Sequence, residues 1–242
     1  MPGAPAGQVS EGRALRSRSV GPRTLIEIAV GDAPVDWSSV GFAVADDGTS
    51  AIGPTRLRLA GTAGGRGILG WTLADLDDGD DDLPADLDGL PTAAGEPPGP
   101  AAAPPAHPNR VVGLDHIVAM TPDLDRTTAA LEAAGIAARR TREAGQGRLQ
   151  RFFRVGPTIL ELVGPVEPRG AGPARFWGLA FTVDDIDATA AHLAGRIGEP
   201  KDAVQQGRRI ATLRAGDEIS VPVAFMSPPG SPAPGGAGQH RR

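Results

Sequence analysis

The sequence predicts an α+β chain built on a duplicated strand–helix–strand–strand–strand (βαβββ) unit, preceded by a β-rich N-terminal region. Two observations carry this. Residues 113–136, GLDHIVAMTPDLDRTTAALEAAGI, and 177–198, WGLAFTVDDIDATAAHLAGRIG, each read as an apolar strand, an acidic turn and an Ala/Leu-rich helix. A shift of 62 places lays Leu124 on Ile186 and Leu131 on Leu193. Further on, 147–165 matches 207–225 with a slip of 60, Arg154 falling on Arg214 and Gly156 on Gly216. A fixed internal period of this kind marks a duplicated supersecondary unit.

Each element of the unit has a local cause. Leu114–Met120 is rich in β-branched and apolar residues, as a half-buried strand should be. Thr121-Pro122-Asp123 supplies a helix start, with a side-chain oxygen to cap the first free amides. Leu124, Thr128, Leu131 and Ile136 fall near helical spacing, and Gly135 closes a helix over Asp123–Ala134. Arg148–Val155 and Thr158–Val163 are short strands around the turn dipeptide Gly156-Pro157. The second copy repeats the order with Phe176–Val183, Asp185–Leu193, Arg208–Arg214 and Ile219–Phe225.

This pattern resembles the glyoxalase-like branch of the vicinal-oxygen-chelate superfamily. The likeness rests on Leu114-Asp115-His116-Ile117-Val118, Asp123-Leu124-Asp125, Ile159-Leu160-Glu161-Leu162-Val163 and the echo Phe181-Thr182-Val183-Asp184-Asp185-Ile186-Asp187, and it covers residues 111–227. The resemblance implies paired βαβββ modules, 110–166 and 174–227, whose mixed sheets curl around one cleft that often holds a divalent metal. It further implies a ligand from the first strand of a module and another from its last strand. Those positions are His116 and Glu161 in the first copy. An imidazole and a carboxylate together suit zinc, nickel, iron or manganese.

The second copy does not complete such a set. Sixty-two places beyond His116 stands Gly178, and 60 or 62 beyond Glu161 stand Val221 or Val223. The expectation is therefore an incomplete metal site, with His116 and Glu161 on one side of the sheet within metal-bridging reach. The same pair can serve instead as acid–base groups. Asp115, the next residue along the strand, is expected on the opposite face. His107 falls in a linker, His192 on a helix and His240 in the tail. Arginines gather where a cleft would lie, and Arg151, Arg154 and Arg209 are candidates for an anionic ligand, because a guanidinium fork matches a carboxylate or phosphate.

Around this unit, 1–22 reads as unstructured, 93–109 as a Pro/Ala linker and 228–242 as a Pro/Gly tail. Residues 23–92 hold four strand-like runs, Thr24–Val30, Val40–Ala45, Thr55–Ala60 and Ile68–Leu73, without a long helix, and end in an acidic loop; the region reads as a degenerate, helix-poor module or an added sheet. Gly41-Phe42-Ala43-Val44 and Gly70-Trp71-Thr72-Leu73 both faintly echo Gly178-Leu179-Ala180-Phe181. The eight Asp of 75–88 lack the twelfth-position Glu of a helix–loop–helix calcium site and read as a solvated loop. The glycine run Gly61–Gly67 leads into a strand rather than a helix, which is wrong for a phosphate cradle.

Composition narrows the rest. No cysteine is present, so disulfides and thiolate chemistry are excluded. The net charge of −5 and the lack of a basic stripe argue against nucleic acid. No apolar run is long enough to span a membrane, and the N-terminus lacks a signal-like apolar core. A cytoplasmic protein with a small-molecule ligand is the expectation, and a homodimer is compatible with it. Three functional readings stay open: a lyase-, isomerase- or dioxygenase-type enzyme using His116 and Glu161, a non-catalytic binding or sequestering protein without metal, and a filled structural module.

Overall fold

The structure is a computed structural model that describes residues 23–75, 83–97, 105–214, 216 and 218–230. The expectations for 1–22, for most of the acidic loop and for most of the tail lie outside these residues. In the first half come β1 (Arg23–Val30), α1 (Pro34–Ser39), β2 (Thr49–Ile52), β3 (Thr55–Leu59), β4 (Ile68–Asp75), β5 (Asp86–Leu87) and β6 (Leu90–Ala94). The second half opens with β7 (Val111–Met120), α2 (Leu124–Ala133), β8 (Ala138–Gly145), β9 (Arg148–Val155) and β10 (Thr158–Pro165). It closes with β11 (Arg175–Val183), α3 (Ile186–His192), β12 (Lys201–Asp202), β13 (Arg209–Thr212) and β14 (Val223–Met226).

The second half realises the duplicated unit as one eight-stranded mixed sheet, ordered β12-β13-β14-β11-β7-β10-β9-β8. In each copy the first strand lies parallel to the last: β7 pairs β10 and β11 pairs β14. The copies meet through the antiparallel β7–β11 pair. Both helices start at the expected acid. Asp123 accepts from the Arg126 amide at 3.0 Å, and Asp185 accepts from the amides of Asp187 and Ala188, both at 3.0 Å. Capping of this kind contributes about 1 kcal/mol per helix.

The first half repeats this strand topology, with the short α1 its α-helix among the described residues. Its sheet, β2-β3-β1-β4-β6-β5, again sets each first strand parallel to a last strand, β1 to β3 and β4 to β6, with β1–β4 as the antiparallel seam. The faint echo between Gly70 and Gly178 is therefore structural. A Cβ on Gly70 would stand 2.9 Å from the Pro91 carbonyl oxygen, and one on Gly178 would stand 3.0 Å from that of Pro222. Each glycine lets its strand pass close to a proline on the neighbouring parallel strand.

The two sheets share one core. Phe42 meets Phe181 at 5.0 Å between ring centroids, Trp37 meets Phe181 at 6.2 Å, and Trp71 meets Phe176 at 5.2 Å. Phe181 and Phe225 are cross-strand partners beside the Leu179–Val223 pair, all on the buried face of the second sheet. The sheets thus pack through these faces and turn their other faces outward. That arrangement accounts for the short α1: the surface a helix would cover is covered by the other sheet.

Several sequence expectations are corrected. Val40–Ala45 is not a strand. Gly41 takes φ +81°, and the amide of Ala43 donates to His107 Nδ1 at 2.9 Å rather than to a ladder, while Phe42 plugs the core. The end of the Pro/Ala stretch is anchored rather than free: His107 Nε2 lies 2.9 Å from the Ala51 carbonyl, and buried Asn109 donates to the Val40 carbonyl. The strand expected over Ile219–Phe225 is confined to β14, and polar β8 was not legible from hydrophobic alternation. Among the described residues no helix is long and apolar enough to cross a membrane.

Candidate functional site

On the outward face of the second sheet, His116 of β7 and Glu161 of β10 meet. Parallel pairing sets Ile159 opposite His116 and Glu161 opposite Val118, so the two side chains share a face one residue apart along the strands. His116 Nε2 stands 4.0 Å from Glu161 Oε2, and the side chains are 13% and 11% exposed. The surrounding floor is apolar, with Val118, Ile159, Phe152 and Ala180 in adjoining register positions.

Asp115 corrects the sequence reading. Instead of pointing away, its Oδ1 lies 2.8 Å from His116 Nδ1. The cause is a β-bulge. Ala180 opposes His116 and the next residue, Phe181, opposes Leu114, so Asp115 is the extra residue on β7 and alternation is broken there. Its Oδ2 accepts from Thr182 Oγ1 at 3.1 Å and pairs with the Arg208 guanidinium at 2.6 Å. Burial works to raise the Asp115 pKa, but the hydrogen bonds from His116 and Arg208 and their charges outweigh it and bring the carboxyl to about 2. The ionised Asp115 accepts from His116 Nδ1 and so aims Nε2 toward Glu161.

Glu161 is held from its other side. Gln150 Nε2 donates to Oε1, and Arg142 Nε donates to the Gln150 carbonyl oxygen at 2.7 Å. Arg208 belonged to the second copy's arginine cluster but was not among the ligand candidates, and Gln150 was not singled out from the sequence. The alternation of Arg208 with Arg209 could have flagged the first, but the approach of Gln150 to Glu161 depends on the β9–β10 register.

The arginine candidates separate by face. Arg151 pairs across the ladder with Leu162 on the helix side, where its NH1 lies 2.7 Å from Thr128 Oγ1 and 3.0 Å from Asp125 Oδ1 of α2. Arg209 binds Asp187 of α3 at 2.7 Å in the same manner. Both serve helix docking rather than the cleft. Arg154 pairs with Ile159 and stays on the His116 face, exposed.

The donor set does not fit a resident metal. Register makes Ala224, rather than Val221 or Val223, the counterpart of Glu161: Leu160 opposes Ile117 as Val223 opposes Leu179. Gly178 and Ala224 offer nothing, and among the described residues no three His, Cys, Asp or Glu side chains converge on a common point. Two donors fall short of the three protein ligands usual in catalytic zinc sites.

Residues 113–213 match the model of the family described as Glyoxalase/Bleomycin resistance protein/Dioxygenase superfamily. Among solved structures, methylmalonyl-CoA epimerase from Mycobacterium tuberculosis is 20% identical over 52% of this chain and 91% of its own, with a TM-score of 0.41. A Streptomyces coelicolor methylmalonyl-CoA epimerase variant in complex with 2-nitronate-propionyl-CoA is 24% identical over 51% of this chain and 99% of its own, with a TM-score of 0.41. A variant of 4-hydroxymandelate synthase from Streptomyces coelicolor is 14% identical over 85% of this chain and 92% of its own, with a TM-score of 0.55. This last likeness concerns the fold alone, and it extends over most of the chain. No curated protein sequence matches.

Proposed function

Because the chain carries a domain of the glyoxalase/bleomycin resistance/dioxygenase superfamily, we propose that its second sheet binds a small molecule on the outward face and exchanges a proton with it through His116 and Glu161. One observation carries this reading: the array Arg208–Asp115–His116···Glu161–Gln150, in which each member is oriented by the next. In its unprotonated form His116 accepts a proton at Nε2 from a bound carbon or oxygen acid. The imidazolium that forms is stabilised by Asp115, and Glu161 Oε2 supplies a second basic atom across the gap of 4.0 Å. The apolar floor excludes water and strengthens these interactions. No step passes through a metal.

The vacated second-copy positions, Gly178 and Ala224, favour a second reading, a binder that retains the cleft without chemistry. One experiment separates the two. Full-length protein is incubated in deuterium oxide with a panel of carbon acids, 2-oxo acids and malonyl thioesters, and both binding and deuterium uptake are followed by NMR. Proton transfer predicts uptake that falls by about 10²–10⁴-fold in His116→Ala and Glu161→Gln while the fold is kept. Binding near His116 without uptake in the wild type establishes the binder instead. If no panel member shifts the His116 imidazole signals, the site is not where the ligand goes.

A further inference from the structure

We propose that Arg140, Arg142 and Arg154 form the wall that receives the anionic end of the ligand, which makes the ligand class a small carboxylate or phosphate with an apolar body. The inference rests on the proposed site and assigns its substrate chemistry. Three observations converge. The first is placement. Arg140 pairs with Phe152, which pairs with Glu161, so guanidinium, ring and carboxylate lie in one row across β8, β9 and β10. Arg142 with Gln150, and Arg154 with Ile159 beside His116, occupy the rows on either side.

The second is the way the wall is held. The Arg140 guanidinium stands 4.5 Å over the Phe152 ring centroid, and that of Arg142 stands 5.4 Å from it. Stacking fixes the planes of both groups but uses none of their N–H donors. Phe152 is 5% exposed in consequence, and an apolar ligand body can lie beside it toward Glu161.

The third is charge. Arginines on the helix side and at the inter-sheet contacts are neutralised: Arg151 by Asp125, Arg209 by Asp187, Arg126 by Asp88. Among the described residues Arg140 has no polar partner, Arg142 reaches only the neutral Gln150, and Arg154 reaches only the Gly156 carbonyl. The cleft carboxylates are committed elsewhere, Asp115 to Arg208 and Glu161 to Gln150. In a chain of net charge −5, these guanidinium groups without a carboxylate partner stand beside the proposed site. Row spacing of about 5 Å per strand then sets the anion about two strands from the proton-transferring pair, a distance that fits a small molecule.

The test uses the full chain and three probes of one shape: benzoate, phenyl phosphate and neutral benzamide, titrated calorimetrically and by the imidazole signals of His116. The expected result is at least about tenfold tighter binding of one anion than of benzamide. The Arg140→Ala/Arg142→Ala pair should abolish that preference, read as the ratio of anion to benzamide affinity, whereas Arg140→Lys should retain part of it. Benzoate against phenyl phosphate decides which anion the wall prefers. Equal binding of benzamide and both anions, or a preference that survives the double substitution, overturns the assignment while the His116 shifts leave the site reading intact. If no probe shifts His116, the anion wall and the site fall together.

Discussion

The two sheets of this protein are built to one topology and carry different things at the same place. In the second sheet, the positions beside the Ile117–Leu160 pair hold His116 and Glu161, 4.0 Å apart and oriented by their neighbours. In the first, Ile28 opposes Leu57 in the same way, and the corresponding positions are Glu27 and Arg58. There the Arg58 Nε binds Glu27 Oε1 at 2.7 Å, and Arg56 takes Oε2 at 2.6 Å. An acid closed by two guanidinium groups has no lone pair facing a ligand and no proton to exchange near neutrality. The same scaffold therefore gives the pair proposed to exchange a proton on one outward face and a saturated ion pair on the other. The topology fixes where two side chains meet; residue identity decides whether the meeting is chemistry or structure.

The comparison is broken most severely at the shared core. Phe181 touches Trp37 and Phe42 from the first half, and it is 1% exposed. Phe181→Ala should cost about 3–5 kcal/mol, because the cavity lies between two sheets that cannot easily collapse into it. Denaturant melts followed by tryptophan fluorescence, which reports chiefly on the first half, and by circular dichroism should shift together. Separate transitions would mean that the halves are stable alone and that the aromatic contacts do not couple them.

The next effect is electrostatic and belongs to the second sheet. The folded Asp115 carboxyl titrates at about 2, below its unfolded value of about 3.9. Between those values the unfolded chain binds more protons, so stability rises with pH through this window and is lost as pH falls through the folded pKa. Asp115 should contribute about 3 kcal/mol at neutral pH by this linkage. Asp115→Asn should lower stability by about that amount at pH 7, and the difference from wild type should shrink toward pH 2. A pH-independent difference would mean that Arg208 and His116 do not set the carboxyl's affinity for protons.

How much of this was legible beforehand follows from the range of each signal. The duplicated unit and its caps Asp123 and Asp185 leave local or periodic marks in the sequence, and His116 and Glu161 were reached through the family resemblance. Asp115 was misplaced because strict alternation holds only in a regular strand, and the bulge that turns it arises from pairing with β11. Arg151 and Arg209 were set in the cleft because a guanidinium can serve either face. Their partners Asp125 and Asp187 were visible on the helices, but the side of the sheet was not. The first half could be read only as a degenerate, helix-poor module or an added sheet, because no long helical period marks it. Of its two faint echoes, that at Gly41 falls outside any strand, whereas Gly70 and Gly178 are each pressed against a proline.

Those glycines give a smaller and more symmetrical test. Gly70→Ala and Gly178→Ala each push a Cβ to about 3 Å from a proline carbonyl, and each should cost about 1–3 kcal/mol by overpacking. Similar losses in the two variants, read as shifts of the urea midpoint, would support equivalence of the two seams. A neutral Gly70→Ala beside a costly Gly178→Ala would show that the first sheet is the looser copy.

The smallest expected effect is at Glu27, and it sharpens the contrast most. Its pKa is lowered: burial works to raise it, and the hydrogen bonds and charges of Arg58 and Arg56 prevail. The sign is the same as for Asp115, with stability present above the unfolded carboxyl value and lost as pH falls through the folded one. The magnitude is less, because Arg56 and Arg58 are 54% and 47% exposed and water screens them. Glu27→Gln should therefore cost only about 0.5–1 kcal/mol at pH 7. It should leave the deuterium uptake and ligand binding assigned to His116 and Glu161 unchanged, since the two outward faces look away from each other. A loss of uptake in Glu27→Gln equal to that in Glu161→Gln would mean that the first face takes part in the chemistry, and that the saturated ion pair is a resting state that a ligand opens.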